Sequence, residues 1–161
     1  MTNPSGRATI AIVIILGTAC TPPAITALNE GSDASIAGRY EEALRHYDRA
    51  ITIDPVFATT HCARGEVLIK LKRFGEAAEA FGTCLDLNPG FLEGRVSLAI
   101  ALLLSCDYVG AQTALDEFDR AKSTNARVLE NAEWVRVRLK KAATLGGRCL
   151  PSEDEVRLPS R

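Results

Sequence analysis

At 161 residues, with 19 basic side chains against 20 acidic ones, the chain has room for one domain and offers no electrostatic basis for a nucleic-acid partner. Its two histidines, His46 and His61, stand at no metal-ligand spacing from each other or from a cysteine, so neither a metal nor another cofactor is expected. The short basic run 70–73 reads as a solvated turn.

The first segment has the order of an export signal. Arg7 and the terminal amine give a weakly positive start, residues 8–16 an apolar run, and Gly17-Thr18-Ala19 small residues for cleavage. About twelve apolar residues rise only about 18 Å as a helix, against about 30 Å of bilayer core, which disfavours a permanent span. Residues 1–19 are therefore expected to be a signal peptide. Leu16-Gly17-Thr18-Ala19-Cys20 resembles the lipoprotein box of bacteria, although Gly17 stands where that family usually has leucine. The resemblance implies lipidation of Cys20 as the first mature residue. The alternative is an ordinary signal cut after Ala19, leaving a free terminal cysteine. Thr21-Pro22-Pro23 then makes 20–23 an anchor and stiff tether.

From residue 24 the chain repeats itself every 34 residues. Gly31 falls on Gly65, Tyr40 on Phe74, Ala43 on Ala77, Tyr47 on Phe81, Ala50 on Cys84 and Asp54-Pro55 on Asn88-Pro89. A weaker third copy places Ala99, Tyr108, Ala111, Leu115 and Phe118 on the same positions and has Ser123 where the closing proline would stand. Each copy predicts two antiparallel helices: 25–37 and 40–53, 58–71 and 74–87, then 92–105 and 108–122. Proline ends the second helix of a pair because it lacks the amide donor and pushes its predecessor out of the helical region. The small residues Gly31 with Ala43, Gly65 with Ala77, and Ala99 with Ala111 are expected where the paired helices cross. A lone amphipathic helix over about 126–143 follows, carrying Val128, Leu129, Ala132, Trp134, Val135 and Leu139.

This period and this placement of small residues, aromatics and closing prolines resemble the tetratricopeptide-repeat family over about residues 24–143. Ala27 and His61 depart from its usual tryptophan, and Glu30 and Arg64 from its usual leucine. The resemblance implies an all-α, right-handed superhelical solenoid of three helix-turn-helix units with a C-terminal capping helix from about 126. The domain is expected over 24–145, with 146–161 a mobile tail. The family also implies a concave groove lined by the first helix of each unit. Apolar character all round the helix over 92–105 calls for cover on every side. The expected partner groove is accordingly Ile69, Val96, Ile100, Leu103 and Trp134; the alternative is that the superhelix or Trp134 itself covers these residues. Leu28, Cys62 and Val96 replace the basic and polar residues with which chaperone-binding members clamp a terminal carboxylate, so that activity is not expected.

Export implies an oxidising compartment and leaves Cys62, Cys84, Cys106 and Cys149. In the family's register Cys106 lies in the turn of the third unit, and the capping helix returns Cys149 to the same edge, which makes Cys106–Cys149 a reasonable disulfide. Cys84 takes an interhelix core position and is expected as a buried thiol; Cys62 points to the groove and is expected to be free.

The function these features imply is a non-catalytic scaffold or adaptor of the bacterial cell envelope. It faces the periplasm, is lipid-anchored to a membrane, and holds an extended or helical apolar segment of another envelope protein. Similar lipoproteins serve pilus or secretion-complex assembly. A structural homo-oligomer formed through the third unit is the alternative, and an accessory domain of an envelope enzyme the poorer third reading. No catalytic residue is expected: Glu41-Glu42 and Asp116-Glu117 are sequence neighbours that diverge on a helix, as do His61 and Cys62.

Overall fold

A computed structural model describes residues 22–150; the expected signal peptide over 1–19, Cys20 and residues 151–161 lie outside them. The described residues form seven α-helices and no strand. In chain order they are α1 (Pro23–Ile36), α2 (Tyr40–Ile53), α3 (Ala58–Lys70), α4 (Phe74–Leu87), α5 (Leu92–Leu104), α6 (Tyr108–Arg120) and α7 (Ala126–Thr144). The helices pack as hairpins α1–α2, α3–α4 and α5–α6, stacked in order, with α7 laid on α5 and α6. This is an all-α solenoid of three helical hairpins and a cap, as the repeat predicts. Pro23 opens α1 rather than ending a tether, because a first helical residue needs no amide donor.

The turn inside each hairpin is closed the same way. Gly38, Lys72 and Cys106 occupy equivalent positions and all adopt left-handed backbone, with φ of 75°, 60° and 68°. The following amide then reaches back five residues: Arg39 N to Ala34 O at 2.9 Å, Arg73 N to Leu68 O at 2.9 Å, Asp107 N to Leu102 O at 2.8 Å. These bonds satisfy carbonyls that the helix end would otherwise leave open. Only the first unit places glycine there; Lys72 and Cys106 carry the steric cost of a Cβ in that region.

The helix crossings differ in one respect from the sequence expectation. Gly31 and Gly65 do not chiefly make room for Ala43 and Ala77, which are themselves fully buried. They make room for the ring one turn later. A Cβ on Gly31 would lie 2.5 Å from Tyr47 Cε1, and one on Gly65 would lie 3.0 Å from the Phe81 ring. In the third unit the ring is replaced by Leu115, and the glycine by Ala99 in the same buried cluster. Ring size and crossing residue thus vary together.

Ion pairs tie neighbouring helices on the outer side. Arg49 meets Glu30, Arg64 meets Asp48 at 2.8 Å, Arg95 meets Glu117 and Arg136 meets Asp119, while His46 Nδ1 lies 3.0 Å from Glu30. Glu30 and Arg64, the departures from leucine, are therefore partners for helix-B charges. His61, at a tryptophan site, instead bonds through Nε2 to the Pro55 carbonyl at 2.8 Å across the turn before α3. Within one turn, Arg73 donates to both oxygens of Glu76, which holds the Glu76 carboxyl below its ordinary range.

Candidate partner-binding face

Helices α3, α5 and α7 lie side by side as the inner row of the solenoid and enclose a cavity of about 90 Å³. Its lining is polar: Glu66 from α3, Glu93 and Ser97 from α5, and Arg127 and Asn131 from α7, with Val96 and Val128 as apolar walls. The start of α7 is fixed by Asn125, whose Oδ1 accepts from the amides of Arg127 and Val128 at 3.1 and 3.4 Å. The same Asn125 reaches Glu93 at 3.4 Å, and Arg127 lies 3.9 Å from Glu93. Asn131 Oδ1 is sealed from solvent and meets no donor among the described residues. An acceptor left in that state costs about 1–3 kcal/mol unless something fills it.

The expected apolar groove is corrected by this packing. Val96, Ile100 and Leu103 are 2%, 7% and 2% exposed, in one cluster with Val128, Ala132 and Val135 of α7. The capping helix supplies the cover that the all-apolar α5 requires. Ile69 and Trp134 are half-buried against the same cluster, and the Arg138 guanidinium sits 3.6 Å over the Trp134 ring. With α7 in place, Val96, Ile100 and Leu103 offer no open apolar surface, neither to a partner nor to a second copy. Of the residues expected in the groove only Val96 lines this cavity; Ser97 and Asn131 were missed, their one signal being their place on inner-row helices.

Both remaining cysteines also depart from expectation. Cys62 and Cys84 are joined, with Cα atoms 5.4 Å apart, and staple α3 to α4. In the first and third units the same two positions hold Leu28 with Ala50 and Val96 with Phe118, the latter two buried in one cluster. Cys106 and Cys149 are joined as well, with Cα atoms 5.3 Å apart. Tyr108 flanks that bond: its hydroxyl donates to Arg148 O at 2.9 Å and accepts from Leu150 N at 3.0 Å. Residues 148–150 are thereby held on α6, which corrects the start of the expected tail. No group of three or more His, Cys, Asp or Glu side chains among the described residues could hold a metal ion. No described helix is long and apolar enough to cross a membrane.

Comparison with known proteins agrees with this geometry. Residues 36–72 match a family model described as TPR repeat, and residues 58–91 one described as Tetratricopeptide repeat. The chain is 30% identical over 127 residues to Stress-induced-phosphoprotein 1 of Caenorhabditis elegans, covering 79% of this chain and 35% of that protein. It spans about a third or less of the length of the curated relatives it matches first. Among solved structures, the Sgt2 TPR domain from Aspergillus fumigatus superposes with a TM-score of 0.69 at 21% identity, over 81% of this chain and 87% of that one. The first TPR of Spaghetti (RPAP3), bound to the HSP90 peptide SRMEEVD, superposes with a TM-score of 0.66 at 17% identity, over 73% and 94%. Hairpins, crossings, closing turns and both family models converge on one conclusion: residues 36–91 carry tetratricopeptide repeats, within a solenoid of that fold.

Proposed function

We propose that this domain is a non-catalytic adaptor that holds a segment of a partner protein along the inner row of helices α1, α3, α5 and α7. The observation that carries this reading is the polar cavity between α3, α5 and α7, at the place where the repeat architecture presents its binding face. A domain of similar fold holds a peptide in its solved complex, which supports a segment rather than a small molecule as the ligand. We further propose an extracytoplasmic site of action, with Cys20 as the lipid attachment point and an envelope protein as the partner, as in assembly of pili or secretion complexes. Two intramolecular disulfides support that compartment, since cytosolic thiols are kept reduced.

The test places a photo-crosslinking residue at Ser97, inside the cavity, and separately at Val109, which is 80% exposed on the other side. A partner is expected from Ser97 and not from Val109. Equal capture at both positions, or capture at Val109 alone, removes the adaptor reading. In the same cells Cys20→Ser is expected to move the protein from the membrane pellet to the soluble fraction; an unchanged pellet removes the lipid anchor.

A further inference from the structure

Resting on the lipid-anchor reading, we infer that the solenoid edge bearing the turns between hairpins lies on the membrane, with Val56 and its apolar neighbours seated in the headgroup layer. Topology sets this edge. Each hairpin is antiparallel and the hairpins stack in order. The start of α1, the ends of α2 and α4 and the start of α7 therefore emerge on one side, opposite the turns of Gly38, Lys72 and Cys106. Cys20 precedes Pro23, the first residue of α1, by three residues, at most about 11 Å of chain. A lipid on Cys20 holds this edge, and not the other, against the bilayer.

The same edge is apolar where it lies nearest the anchor. Ile25 in the first turn of α1, Ile53 at the end of α2, Leu87 at the end of α4 and Leu129 in the first turn of α7 are exposed. Val56, at the tip of the α2–α3 turn beside the exposed Pro55, is 69% exposed. Asp54 fixes that tip, its Oδ1 accepting from the Val56 amide at 3.2 Å. The exposed Asp86 next to Leu87 limits the depth, so the contact is shallow. At the last turn of this edge Arg120 and Lys122 are exposed instead, which suits anionic headgroups. The opposite edge exposes Ile36, Val109 and Leu145, but its turns carry Arg39, Lys72, Arg73 and Asp107, all in water. So few apolar side chains hold a membrane weakly from free solution; once anchored, they meet it at high local concentration. The helices then stand on end over the bilayer and the inner row runs along it, so a held partner segment lies parallel to the membrane surface.

The experiment uses the full chain, lipidated in bacterial cells and purified. An environment-sensitive fluorescent amino acid replaces Val56 or, separately, Ile36 on the opposite edge. The protein is reconstituted into vesicles of phosphatidylethanolamine and phosphatidylglycerol that carry doxyl-labelled acyl chains as quenchers. The label at 56 is expected to be quenched about threefold and the label at 36 left unchanged. With the label moved to Leu87, combined I53D and V56D substitution should undo the quenching there while the protein still floats with the vesicles.

Equal quenching at 56 and 36, or more at 36, overturns the seated edge; flotation of the same protein leaves the anchor standing. Emission at 56 that changes with protein concentration and ignores the quenchers reports a second copy on this edge and overturns it too. Cys20→Ser is expected to abolish flotation. A Cys20→Ser chain that floats with position 56 still quenched supports the seated edge and removes the lipid anchor, so the two readings fail separately.

Discussion

Replacing Cys62 and Cys84 together by alanine is expected to lower the melting temperature by about 10 °C, read by calorimetry on the oxidised chain. The bond closes a loop with a sequence separation of 22. Chain-entropy arguments give such a loop about 3 kcal/mol, and a domain of this size shifts by about 3–4 °C per kcal/mol. The position within the fold adds to this. Cys62 and Cys84 are 6% and 1% exposed, and alanine at position 62 also leaves a void at the hairpin contact. A second variant separates bond from packing: Cys62→Leu with Cys84→Ala copies the pair Leu28 and Ala50 of the first unit. It should recover part of the loss. A shift of under about 2 °C in the alanine variant would show that the staple contributes little to the folded state.

Leu103→Asp should unfold the third unit rather than merely weaken partner capture. Leu103 is 2% exposed in the cluster that joins α5, α6 and α7. A carboxylate there has no cationic partner nearby in that apolar cluster, and a destabilisation above about 4 kcal/mol is expected in urea titration followed by helicity. Ile36→Asp is the control. Ile36 is 87% exposed, and its replacement should change stability by less than about 0.5 kcal/mol. If the Leu103 variant keeps its midpoint and its helicity while losing the partner, the residue belongs to an open groove and the described packing of α7 is wrong.

Most of the fold was legible in the residues because the repeat stated it more than once. Gly31 over Gly65, Tyr47 over Phe81 and Pro55 over Pro89 predict hairpin, crossing and stop together, and the helix bounds agree within two residues. The cap was legible for a different reason: α5 is apolar on every face and cannot remain bare. What the pattern could not convey was which neighbour covers it. Val128, Ala132 and Val135 were visible as an apolar stripe, yet their docking on Val96 and Leu103 depends on how far the superhelix turns, a quantity no single repeat contains. The Cys62–Cys84 pair was missed because the family register describes those positions as groove and core, which hid the fact that they touch. The polar cavity was least legible of all. Ser97 and Asn131 acquire meaning only once three helices, distant in sequence, are brought side by side.

The Tyr108 hydroxyl grips the backbone on both sides of Cys149, through Arg148 O and Leu150 N, while Cys106 sits two residues before the tyrosine. The anchoring of this segment is therefore not carried by sulfur alone. Were a reductant to open the bond, the phenol would keep the two thiols within reach, so that a two-electron oxidant from outside would meet them as a pair at high local concentration rather than by random encounter. Given such an oxidant, the latch can close again without the chain letting go.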